Sequence, residues 1–193
     1  MHRTSRSLAI AALAVIAWTQ PAVAGPALSP SVRHCLAELS ADYLTARERF
    51  QSALRDLAVA GLDRRDQRQL VAVADLNRDV QIALARRRHA QIRYLLAHDP
   101  GRLNTQEGMS RFTNFDWSTE DDTHAAAADP ELAALMQQAD ALLAINNGHP
   151  GWPAFREHFR TTVAPRADYA AAMADLRQAI TDLEGELGYC GER

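Results

Sequence analysis

The sequence predicts an all-α fold: an elongated antiparallel helical bundle with a long N-terminal helical hairpin, closed by one disulfide. Three observations carry this. Apolar residues recur at alternating spacings of four and three along two long stretches. No run of useful length alternates apolar and polar residues as a half-buried strand does. The only cysteines, Cys35 and Cys190, stand near opposite ends of the chain.

Ser29 and Pro30 open the first helix, serine as N-cap and proline at the first helical position. Val32, Leu36, Leu39, Tyr43, Ala46, Phe50, Ala53, Leu57 and Ala60 then form a coiled-coil-like seam for a partner helix. Gly61 ends that helix, and Asp63 stands where a cap for the next belongs. The second helix is expected from Arg64 to Ala97, on the stripe Leu70, Val73, Leu76, Val80 and Leu84, resumed by Ile92, Leu95 and Leu96. A short turn makes the two an antiparallel hairpin over residues 29–98, about 45 Å long.

Asp99-Pro100-Gly101 breaks the pattern, and residues 99–122 read as an irregular loop holding Phe112, Phe115 and Trp117 between polar neighbours. Ser118 with Asp121 has the form of a capping box with Asp in place of Glu. Glu120, Asp121 and Asp122 suit the first turn of a short alanine-rich helix. Helices fill the rest, 123–193. One opens at Asp129-Pro130 and carries Leu132, Leu135, Met136, Ala139, Leu142 and Leu143; another begins at Pro153 and carries Phe155, Phe159 and Val163. The last repeats the heptad through Tyr169, Met173, Leu176, Ile180, Leu183, Leu187 and Cys190. Running it antiparallel to the first helix brings Cys190 beside Cys35.

The N-terminus has the pattern of an export signal. Arg3 and Arg6 precede eleven apolar residues, Leu8 to Trp18, and Ala22-Val23-Ala24 offers small residues for cleavage before Gly25. Eleven helical residues rise about 16 Å, too short for a hydrocarbon core of ~30 Å. Residues 1–24 are therefore expected to be removed, leaving a single helical domain, 25–193, with no stable membrane anchor and a periplasmic or secreted location. Loss of Arg3 and Arg6 leaves 19 arginines against 24 acids, a charge of −5, which argues against nucleic acid as a partner. All 21 basic residues are arginine, and alanine is abundant, a composition typical of a GC-rich bacterial genome. In an oxidising compartment two cysteines without C-x-x-C spacing are expected to pair. The closed loop of about 155 residues is worth up to about 5 kcal/mol in the chain-entropy model.

Four groups of residues suggest chemistry. His34, Glu38 and Asp42 share one helical face, and folding the hairpin about Gly61-Leu62 brings His89 opposite His34. His34, Glu38 and His89 would be donors for a divalent metal; the alternative is a set of surface ion pairs. Asp116, Ser118, Glu120 and Asp122 alternate like calcium ligands, but the sixth and twelfth positions are Asp121 and Ala127, where an EF-hand needs Gly and Glu. Arg86, Arg87, Arg88 and Arg93 form the densest basic patch. Three consecutive helical residues fan across about 200°, which favours solvated charge paired with Glu38 or Asp42 over one anion site. Finally, Phe112, Phe115, Asp116, Trp117 and Trp152 either cluster on the surface as a contact for a protein partner or fold back to cap the open end of the bundle.

Signatures of catalysis are absent: no G-x-S-x-G, no C-x-x-C-H, no phosphate-binding glycine loop and no metalloprotease helix. A carboxylate pair contributed from distant parts of the chain leaves no such trace. The reading is of an exported, non-enzymatic interaction module with an envelope protein as partner, its contact surface on the aromatic loop. The alternatives are a sensor of a small ligand or divalent metal, and an enzyme with a cryptic carboxylate site. Beyond that metal no cofactor is expected. The heptad seams would also accept a second copy, so a dimer is compatible with the pattern.

Overall fold

A computed structural model describes residues 28–63, 67–103 and 107–191. The expected leader, 1–24, lies outside them. All regular structure among the described residues is helical: α1 (Pro30–Val59), α2 (Arg68–His98), α3 (Met109–Thr113), α4 (Thr119–Ala128), α5 (Pro130–Asn147), α6 (Trp152–His158) and α7 (Ala167–Gly191). None of these helices is long and apolar enough to cross a membrane.

The four long helices stand in the order α7, α1, α2, α5, each packed on the next. Neighbours run antiparallel. Cys35 near the start of α1 is bonded to Cys190 at the end of α7, with their Cα atoms 5.8 Å apart. The α1/α2 hairpin is crossed by Arg55–Asp75 and Arg86–Glu48 pairs, and α5 lies along α2 with Arg87 bonded to Asp140.

Local signals account for the helix starts. The Ser29 hydroxyl accepts the Val32 amide at 3.2 Å, and Pro30 stands next at the first helical position. α1 ends at Val59, and Gly61 turns the chain at φ +77°, a conformation that costs glycine little. α2 is described from Arg68, where the sequence suggests Arg64. Asp63 and Gln67 bond reciprocally: the Gln67 amide donates to the Asp63 carbonyl, and the Asp63 amide to the Gln67 side-chain oxygen. Gln67, not Asp63, holds the N-cap position. The pairing of the hairpin slides accordingly, and His89 meets Ser40, six residues along from His34.

Three apolar clusters make the core. The first joins Leu36 and Leu39 of α1, Ile92, Leu95 and Leu96 of α2, and Leu183 and Leu187 of α7 around Met109, Phe112 and Cys190. The second, at the hairpin end, packs Ala58, Val73 and Ala74 against Phe155 and Val163. Gly151 is buried there, and a Cβ on it would fall 2.8 Å from the Val73 side chain, so only glycine permits the approach. The third sets Ala125, Leu132 and Met136 on Ala90. α6 continues into a π-helical turn, Phe159–Val163, rather than a plain α-helix.

Residues 99–122 are not irregular throughout. They hold a 3-10 turn at Pro100–Arg102, all of α3 and the start of α4, although 104–106 lie outside the described residues. Met109, Phe112 and Thr113, at i, i+3 and i+4, are the buried face of α3. Polar bonds hold the segment down. Arg102 donates to both Asp121 carboxylate oxygens, at 2.6 and 3.0 Å, and to the Asp116 carbonyl. Ser118 and Asp121 complete the expected capping box. The Trp117 indole donates to Asp122 at 2.6 Å, and Arg87 ties Asp122 and Asp140 to α2.

The Arg102 guanidinium first, and then the Ser118 amide, hold the Asp121 carboxyl well below the usual carboxylate range. A carboxyl lowered in the folded state contributes stability that is complete above its unfolded pKa of about 4 and is lost as pH falls through the folded value. Asp121→Asn is therefore expected to cost about 1 kcal/mol at pH 7. In thermal melts the gap to the parent should narrow between about pH 5 and pH 2. A gap unchanged over that range would mean that the charge of Asp121 contributes nothing.

Candidate functional site

The aromatic segment does not form the expected surface. Phe112 is 0% exposed and Phe115 8%, both in the first cluster, while Trp117 is half-buried between the first and third. Trp117 meets Phe115 and Tyr94 edge-on, with centroids 6.0 and 5.9 Å apart. Trp152 is half-buried, its indole donating to the Asn146 carbonyl at 2.6 Å and its ring edge-on to Phe155. Of the five residues only Asp116 is exposed. The rings face inward because α3 turns its apolar side to α1, α2 and α7; they cap the bundle.

The expected metal donors are likewise separated. His34 and Glu38 pair at 3.3 Å on the exposed face of α1. His89 is half-buried, with Nδ1 2.7 Å from the Ser40 hydroxyl. Six residues of helix separate Ser40 from His34, roughly 9 Å. Among the described residues no group of three or more His, Cys, Asp or Glu side chains is arranged to hold a metal ion.

The three consecutive arginines diverge as the helical fan requires. Arg86 reaches Glu48 on α1, Arg87 reaches Asp122 and Asp140, and Arg88 lies over the Phe115 ring at 4.5 Å. Their partners are therefore not Glu38 or Asp42. Arg88 Nη1 is buried with no hydrogen-bond partner among the described residues. Burial, and then the neighbouring Arg87 charge, lowers its pKa from the usual arginine value.

Open space lies instead along the α1/α7 seam. A cleft of about 570 Å³ beside the disulfide is lined by Glu38, Leu39 and Asp42 of α1 and by Glu186 and Tyr189 of α7. A second, of about 340 Å³, has Ala46, Phe50 and Ala53 facing Ala172, Leu176 and Ala179, with Arg49 and Asp175 at its edge. Glu38, Asp42, Ala46, Arg49 and Ala53 follow one another at steps of four or three, and so do Ala172, Asp175, Ala179, Asp182 and Glu186. Such steps keep residues on one side of a helix, so both clefts belong to one groove.

Alanine opposite alanine leaves the floor shallow and apolar, while the walls carry acids. Asp42, Asp175 and Glu186 make no ion pair among the described residues, and no ion pair among them crosses this seam. Tyr189, 66% exposed at the lip, is one of two large apolar side chains left so bare among the described residues, Ile145 being the other. Ala46 and Ala53 were visible as seam positions in the sequence, whereas Ala172 and Ala179 lie off the seam read for the last helix. Nothing in the sequence said that the seam stays open there, and Tyr189 carried no signal beyond its place one residue before Cys190. Compared with known proteins, the chain matches no family model, no curated protein and no solved structure.

Burial, and after it the Arg93 charge, pushes the His89 pKa below the usual histidine value, with Ser40 and Glu131 acting the other way. A histidine lowered in the folded state binds its proton more readily when unfolded, so stability is lost as pH falls below about 6.5. Thermal melts of the parent should lose more between about pH 7 and pH 5 than those of His89→Gln, which cannot titrate. Equal losses would show that His89 does not contribute to acid sensitivity.

Proposed function

We propose that this chain is exported and acts as a non-enzymatic protein-interaction module, with the α1/α7 groove as its contact surface. The observation that carries the reading is the combination in that groove of an apolar alanine floor, unpaired acids and the bare Tyr189 ring. Contiguous apolar surface rimmed by polar groups marks interaction sites, and tyrosine is enriched among the residues that dominate them. Export rests on the N-terminal pattern of Arg3, Arg6, Leu8–Trp18 and Ala22-Val23-Ala24, and the end-to-end disulfide is in keeping with an oxidising compartment. The metal-sensor reading has less to rest on, because His89 faces Ser40.

Site-specific photo-crosslinking in cells tests this. A photoreactive residue replaces Ala172 in the groove or, as a control, the exposed Ala126 of α4. Protein adducts are expected from position 172 and not from 126, on a processed chain that begins at Gly25 and fractionates with the envelope. Absence of adducts at 172 would sink the contact surface. An unprocessed chain in the cytoplasm would sink the export reading.

A further inference from the structure

Resting on that interaction reading, we infer that the groove takes a cationic amphipathic helix: an apolar stripe on the alanine floor, with lysines or arginines against the acidic walls. The walls carry Glu38, Asp42, Asp175 and Glu186 against the single cation Arg49. Asp182, exposed on the same line of α7, adds to them. α7 as a whole holds Asp168, Asp175, Asp182, Glu184 and Glu186 against Arg177 alone.

This charge decides among occupants. A second copy seated on the groove would bring the same acids against one another, and like charges across an interface are repulsive. Anionic lipid and nucleic acid are disfavoured for the same reason. A helix fits the shape. Ala46, Ala53, Ala172 and Ala179 let a third backbone approach two helices that already run side by side, the helix-in-groove mode in which an apolar face is held and flanking charge sets orientation. From Glu38 to Ala53 the groove follows sixteen residues of α1, about 22 Å from first to last, the length of a helix of four turns. Tyr189 at the lip supplies a ring for the flank of such a helix, with its face open to a lysine or arginine.

The test uses the chain from Gly25 onward, disulfide intact, and three fluorescent sixteen-residue peptides. The first has leucine at helical spacing with lysine elsewhere, the second has glutamate in place of lysine, and the third scrambles the first. Anisotropy titrations should show the cationic amphipathic peptide binding at least tenfold more tightly than either of the others, and more weakly as salt is raised. The double variant Asp42→Arg/Glu186→Arg should lose at least tenfold. Ala46→Gln/Ala179→Gln, which fills the floor without changing charge, should lose a similar factor, while Glu120→Arg on α4 should bind as the parent does. Circular dichroism and thiol titration confirm that each variant is folded and closed. Equal affinity for the scrambled peptide, or no loss in both groove variants, would overturn the inference. So would a concentration-dependent dimer that Ala46→Gln/Ala179→Gln abolishes. If the peptides fail while position 172 still crosslinks, the cationic occupant is wrong and the contact surface stands. If both fail, the surface itself is wrong.

Discussion

The seating of α7 on α1 is the constraint on which the rest depends. α7 is 25 residues long, yet its buried side chains are Leu176, Leu183, Leu187 and Cys190, a single stripe. Three of them, Leu183, Leu187 and Cys190, belong with Phe112 and Met109 to the first cluster. If α7 lifts away, that cluster opens and α3 loses its seat. A helix held by so narrow a stripe gains little from burial, and the Cys35–Cys190 bond changes the balance by limiting the unfolded chain rather than by adding contacts. The bond ties the C-terminal end of α7 to the start of α1, so that neither helix end frays independently of the other.

What the sequence revealed and what it hid divide along physical lines. Helix starts were legible because capping is local: Ser29-Pro30, Ser118 with Asp121, and Asp129-Pro130 each specify their bond within three or four residues. The heptads were legible because burial repeats with the helix. The hairpin register was not. Gly61 marks where α1 stops but says nothing of where α2 begins, and heptad phase in α2 is the same whichever residue starts it. The slide puts Arg55 against Asp75 and His89 against Ser40, and it alone dismantles the metal site read from His34, Glu38 and His89.

The aromatic segment failed for a different reason. Its polar neighbours suggested a surface loop, yet Met109, Phe112 and Thr113 already carried the i, i+3, i+4 spacing of a one-sided helix. A helix of five residues is too short to announce itself by periodicity. It is stable here because Phe112 fills the core and because the Arg102–Asp121 pair anchors the neighbouring start of α4. The candidate surface on the α1/α7 seam lay hidden in residues that looked ordinary. Ala46 and Ala53, on a heptad seam, read as closely packed core, and only their pairing with Ala172 and Ala179 across two helices turns them into a floor.

The distribution of charge gives the groove its meaning. At the α1/α2 seam Glu48 and Asp75 meet arginines, and at the α2/α5 side Asp122 and Asp140 share Arg87. The chain thus places cations beside its acids where two of its own helices are meant to close. At the α1/α7 seam Arg49 is the single cation in the lining and closes no ion pair among the described residues: Glu38 has only the exposed His34 for a partner, and Asp42, Asp175 and Glu186 pair with nothing among them. Unpaired acids flanking an apolar floor repel one another, a cost to the isolated fold that hydration and salt reduce. A cationic helix lying between them would offset that repulsion and cover the alanines in one step, which is why the two features, each ordinary when taken alone, point to the same occupant.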